Sequence, residues 1–167
     1  MANIIANEVL EEEDTQKDNF LTFTLDSEVY GIEIKYVMEI IGMQSISKIP
    51  DLPKYVKGII NLRGKIIPVM DVRIKFNKEP KEYNDRTSTI IVEMNDIFVG
   101  LIIDSVSEVI IIPESEIVAP PEFSVNKNKY ICGIGKTGEG VILLVNCNKL
   151  LNEEETNALD NMGDKLL

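Results

Sequence analysis

The stretch GIEIKYVMEII, residues 31–41, returns as GLIIDSVSEVI at residues 100–110, with Gly, Ile, Val, Glu and Ile in register. Two later blocks follow in the same order. YVKGI (55–59) matches YICGI (130–134), and IIPVMDV (66–72) matches VILLVNC (141–147) in apolar character. The offset is 69 for the first block and 75 for the later two, so the second half carries six extra residues between its blocks. These fall around PESEIVAPPEFSVNKNK, a loop by composition. Such a duplication means two copies of one small unit. Each copy spans roughly 65–70 residues, a size at which a lone core is marginal, so the two are expected to lean on each other and share apolar surface.

The local pattern within each copy is short, β-branched and alternating. FLTFTL puts Leu21, Phe23 and Leu25 on one face and Thr22 and Thr24 on the other. STIIVEM, DIFVGLII, KIIPVMD and GVILLVN read as further strands, with hairpin turns at Asp26-Ser27-Glu28 and Asn95-Asp96. Pro68 cannot donate to a ladder, which places its strand at an edge or a bulge. The expectation is an all-β protein of two similar five-stranded barrels packed on a shared core. Short helices are expected near LPKYVK, with Asp51 as N-cap, and near DVRIKF. The first barrel would cover about 19–76 and the second about 87–151, joined by the polar linker 77–86, with strands exchanged between the barrels as a variant.

The formal charge of -11 is uneven. Residues 1–18 carry six acids and one base, and residues 152–167 five acids and one base, which leaves the body near neutral at -11 + 5 + 4 = -2. The ends read as an acidic flexible N-terminus and an acidic tail with helical leucine spacing. No basic stripe is present for nucleic acid or an anionic membrane. No apolar run is long enough for direct membrane insertion, and MANIIANEVL lacks the features of a secretory signal, so a cytoplasmic location is expected. Cys132 and Cys147 are then expected reduced and buried.

The chain has no histidine, which removes the phosphoaccepting histidine, the Ser–His and Cys–His pairs and the commonest metal ligand. GIGKTG (133–138) fits G-x-G-x-x-G, but the strand EGVILLV follows it where a dinucleotide site needs a helix, so a hairpin turn is the better reading. NEEE (152–155) lacks calcium-loop spacing and reads as a solvated run. Asp71 and Asp104 follow strands without a partner base, and read as turn or helix-start residues. No catalytic set, metal site or cofactor is assigned.

One residue is harder to place. In NLRGKIIPVMD, Gly64 supplies the positive φ of a hairpin tip, but nothing in the turn demands Arg63. The corresponding tip of the second half, GKTGEGVI, has Gly138 there instead. Glu39, in the apolar strand VMEII, is costly if buried unpaired. The expectation is an Arg63–Glu39 ion pair that holds the hairpin against the strand and orients a charged spot beside apolar surface. Ile40 and Ile41 alternate, so one faces outward and the other inward.

From about Phe20 to Leu151 the chain resembles the CheW family of chemotaxis coupling proteins. The resemblance rests on VYGIEIKYVMEII, on IPDLPKYVKGIINLRGKIIPVMDVRIKF, and on FVGLIIDSVSEVIII and YICGIGKTGEGVILLVN. It implies SH3-like barrels and a non-enzymatic adaptor. The implied partners are the regulatory domain of the histidine kinase CheA and the cytoplasmic signalling tips of chemoreceptors. The implied location is cytoplasmic, with recruitment to membrane-associated receptor arrays. Matching the family's functional motif are Val37, Glu39 and Gly42, then Gly58, Arg63 and Gly64, with Ile40 beside them and Val106 and Gly133 as second-half relatives. Two other readings stay open: a detached regulatory domain of a CheA-type kinase, and a general β-barrel interaction module.

Overall fold

The computed structural model describes residues 17–121, 129–138 and 140–165. Most of the acidic N-terminus and the middle of the 113–129 loop therefore lie outside the described residues. The strands are β1 (Asn19–Leu25), β2 (Glu28–Glu33), β3 (Val37–Gly42), β4 (Val56–Leu62), β5 (Lys65–Asp71), β6 (Ser88–Met94), β7 (Ile97–Ile103), β8 (Ser105–Ile111), β9 (Ile117–Val118), β10 (Ile131–Thr137) and β11 (Gly140–Val145). Two α-helices join them, α1 (Val72–Lys75) and α2 (Glu153–Lys165).

The protein is all-β, with two SH3-like sheets in the orders β3-β6-β7-β5-β4 and β8-β1-β2-β11-β10-β9. Neither sheet follows the 19–76 and 87–151 division of the chain. The β1–β2 hairpin sits with β8 to β11, and its repeat relative, β6–β7, sits with β3 to β5. Each half thus lends its first hairpin to the other. The exchange leaves the two sheets with the same plan: β5 runs parallel to β7 as β11 runs parallel to β2.

Burial explains the exchange. A small cluster fills each barrel: Ile60, Ile67, Val69, Ile91 and Ile102 in one, and Phe20, Ile112, Ile142 and Leu144 in the other. A third and larger cluster lies between them, drawing Phe23, Leu25 and Tyr30 from the β1–β2 hairpin and Val92, Met94 and Val99 from β6–β7. Barrels this small cannot hide enough apolar surface alone. Lending hairpins threads both halves of the chain through the shared core.

Pro68 pairs with Ile59 in the ladder, while the parallel pairing of β5 with β7 begins only at Val69. Counting from the closing pair Leu62–Lys65, the Ile59–Pro68 pair is of the non-hydrogen-bonded kind. The missing amide therefore points to the side where no neighbour has yet joined.

The Asp71 carboxylate caps α1, accepting from the Arg73 amide at 2.9 Å. Arg73 itself is buried and donates through Nη1 to Asp26 at 2.8 Å and Asp104 at 2.7 Å, and through Nε to the Glu79 carbonyl at 2.9 Å. One guanidinium therefore fastens the β1–β2 turn, the β7–β8 corner and the linker. The stretch around LPKYVK is not helical. Asp51 takes a positive φ of 65° in a turn instead of capping a helix, because the chain must bend back there to bring Ser47 alongside Ile59.

The acidic tail forms α2 and docks through Leu159, which is buried in the shared core. Of the NEEE run, Glu153 and Glu154 are exposed, but Glu155 grips the body by taking the Lys75 ammonium at 2.7 Å. Burial pulls that ammonium down to about 8, with repulsion from Lys129 adding to it.

Cys147 is buried as expected, but Cys132 is exposed. The register of β10 slips between Ile131 and Gly133, as that of β4 slips between Val56 and Gly58, so Cys132 occupies the bulge position that Lys57 holds in the other copy. Burial pushes the Cys147 thiol up to about 12. Iodoacetamide at about pH 8 should modify Cys132 alone in the native protein, and slowly, since its sulfur, which donates to the Leu144 carbonyl at 3.5 Å, is partly desolvated and its thiol is raised. Mass spectrometry of the labelled peptides checks this; native labelling of Cys147 would contradict it.

Candidate partner-docking face

β3 is an edge strand with regular alternation. Val37, Glu39 and Ile41 turn inward and are half-buried, while Met38, Ile40 and Gly42 face solvent. The turn from β4 to β5 comes back toward this strand. Both of its central residues have positive φ, Arg63 at 52° and Gly64 at 89°. That is the geometry of a type I′ turn, which Asn-Gly or Gly-Gly fills more readily than Arg-Gly. From this tip Arg63 donates through Nη2 to the Glu39 carboxylate. The pair is solvated, with the arginine side chain 70% exposed. Exposed pairs add little stability, so the fold does not account for arginine at a strained position.

Beside the pair lies apolar surface. Ile40 is 44% exposed, and Met38 is exposed more still. Ile41, its neighbour, turns into the barrel and packs on the Ile60–Ile91 cluster. Gly42 is exposed, has no positive φ, and would meet nothing within 4 Å if it carried a Cβ. Glycine weakens a strand unless another backbone approaches, and none of the described residues approaches the position of its missing Cβ.

The other candidates divide by burial. Val37 and Val106 occupy equivalent places on β3 and β8, and both pack against the shared core. Gly58 and Gly133 are both buried. Gly58, at φ 144°, lets the 46–47 segment lie against β4, since a Cβ there would come within 2.2 Å of the Ser47 carbonyl oxygen. It shapes the face from below. The structure therefore brings Glu39, Ile40, Gly42, Arg63 and Gly64 to one end of one barrel.

The sequence reading passed over two exposed apolar residues on β8, Val109 at 53% and Ile111 at 73%. They stand where Ile40 and Gly42 stand on β3, at the same offset of 69. The repeat alignment held the signal: outward positions of one copy predict outward positions of the other. Glu108, the relative of Glu39, is in no ion pair among the described residues. The two edges thus share an apolar character but not the charged spot. Among the described residues no cluster of His, Cys, Asp and Glu could hold a metal ion, and no helix is long and apolar enough to cross a membrane.

Exchanged SH3-like barrels with apolar edge strands and one oriented surface ion pair define a protein built for contact with other proteins. A CheW-like domain model matches residues 19–155. The chemotaxis protein CheW of Klebsiella aerogenes is 38% identical over 151 residues, covering 90% of this chain and 91% of that protein. The CheW of Helicobacter pylori is 31% identical over 144 residues, covering 83% of this chain and 87% of its own length. The crystal structure of the scaffolding protein TtCheW from Thermoanaerobacter tengcongensis superposes with a TM-score of 0.77 at 38% identity, covering 83% of this chain and 96% of that one. The chain belongs to the CheW family of chemotaxis scaffold proteins.

Proposed function

We propose that this protein is a non-enzymatic chemotaxis adaptor that couples the cytoplasmic tips of chemoreceptors to the histidine kinase CheA, acting in the cytoplasm at membrane-associated receptor arrays. The observation that carries the reading is the Arg63–Glu39 pair. It sits on a turn that would form more readily without arginine, and it is exposed beside Ile40 and Gly42. A charged pair of fixed geometry next to bare apolar surface gives orientation and specificity to a contact. β8 offers a second apolar edge on the other barrel, so two partners can be held at once.

The test is reconstitution with receptor signalling fragments and CheA, reading kinase autophosphorylation and co-sedimentation. The wild-type chain should bridge both partners and raise kinase activity. A detached kinase regulatory domain would not bridge. Arg63→Ala and Glu39→Ala should each weaken binding of the same partner by about tenfold, with the double variant little worse than either. Strict additivity of the two losses would remove the pair as a working unit.

A further inference from the structure

A groove of about 290 Å³ opens beside the Arg63 tip. It is lined by residues 64–68 of β5, residues 96–98 at the β6–β7 turn, and Leu159 and Asp160 of α2. The gap exists because β5 and β7 pair only over Val69–Asp71 and Gly100–Ile102, and the strands part toward their hairpin tips. The floor is apolar. The rim carries Asp96 and Asp160, both exposed and in no ion pair among the described residues. Lys65, the lining cation, lies over the Phe98 ring at 4.8 Å.

The wall supplied by α2 is held by buried Leu159 and, at its first turn, by one carboxylate. Glu155 Oε1 accepts from the Asn152 amide at 3.1 Å, while the Asn152 side chain accepts from the Glu155 amide at 2.7 Å, a reciprocal cap at the helix start. Its other oxygen, Oε2, takes the Lys75 ammonium and the Tyr55 hydroxyl. A single carboxylate therefore both starts the helix and ties its first turn to the body. The family match ends at residue 155, so Leu159 and Asp160 fall outside the shared domain.

We propose that α2 is one wall of a docking groove continuous with the Arg63 tip, that the groove receives an apolar segment bearing a basic residue from the protein partner meeting that tip, and that Glu155 is the positioning residue for the wall. Two unpaired carboxylates above an apolar floor fit that occupant by charge and by burial. The inference rests on the docking-face reading above.

The experiment titrates the full chain separately with a receptor signalling-tip fragment and with the CheA regulatory domain. Asp160→Lys should weaken by about tenfold the same partner that Arg63→Ala weakens and leave the other unchanged, while Glu154→Lys, on the same helix but outside the groove, should change neither; weakening of the other partner alone would overturn the groove. Glu155→Gln should shift the ratio of the two affinities in the same direction as Asp160→Lys, and raise amide exchange over residues 156–160. A purely structural Glu155 would lower thermal stability with the ratio fixed, which would overturn its positioning role. If Arg63→Ala weakens binding and Asp160→Lys changes nothing, the groove is overturned and the face stands. If neither variant changes binding, both readings fall.

Discussion

Gly58→Ala is expected to cost about 4 kcal/mol of folding stability, a fall of roughly 8–16 °C in Tm for a chain of this size. Two faults combine. The residue sits at φ 144°, where side chains are strained, and the new Cβ would lie 2.2 Å from the Ser47 carbonyl oxygen. The contact is with backbone, which Ser47 also uses to accept from the Ile59 amide at 3.0 Å, so relief would break the bridge that holds the 46–47 segment against β4. Its repeat relative gives the control. Gly133 has no positive φ, and a Cβ there would press on the Ile117 side chain at 2.8 Å, with the Val118 carbonyl oxygen and Leu144 at ordinary contact distances of 3.6 and 3.7 Å. Gly133→Ala should cost about 1 kcal/mol. Urea denaturation of both variants checks the contrast, and equal losses would show that the 46–47 segment is free to move.

Arg73→Met should lower stability by about 3 kcal/mol. The side chain is 8% exposed, and Asp104, one of its carboxylate partners, is 14% exposed. Methionine fills comparable space, so the loss measures the polar contacts more than a cavity. It leaves the Asp104 carboxylate with the Asp26 amide at 2.8 Å and Lys81 at 4.0 Å, and leaves the Glu79 carbonyl without its donor. The β1–β2 turn then keeps only the Asp26 amide's bond to Asp104, so amide exchange should rise first around residues 24–29. Replacing Lys35, whose pair with Glu33 is exposed on both sides, should leave the unfolding midpoint nearly unchanged. A midpoint in Arg73→Met as high as in the Lys35 variant would mean that the shared core alone holds the exchanged hairpins.

Much of the proposed docking face was legible because its residues are tied by local chemistry. A hairpin tip demands Gly64, an isolated glutamate in an apolar strand asks for a cation, and alternation separates Ile40 from Ile41. The roles of Val37, Gly58 and Cys132 were less legible. Val37 looks like any outward valine until the second barrel covers it. Gly58 reads as a loop glycine until Ser47 lies across it. Cys132 departs from the expected burial because a bulge adds a residue, and only the slip in pairing reveals it. Glu155 was lost in an acidic run, since nothing in NEEE distinguishes the member that meets Lys75.

By itself the sequence determined that two copies of one small strand-rich unit occur, that they are too small to stand apart, and that they carry no histidine chemistry, but it read the short extra strand β9 of the six-stranded sheet as loop. Periodicity and spacing are properties of the chain alone, and they suffice for that. Which copy owns which hairpin was decided only in the tertiary structure. The same strands would form equally regular ladders with either neighbour, and the choice falls to the arrangement that buries Phe23, Tyr30, Val92 and Val99 in one core between the barrels. That long-range burial also places Glu39, Arg63 and α2 on one end of one barrel, where another protein can meet them together.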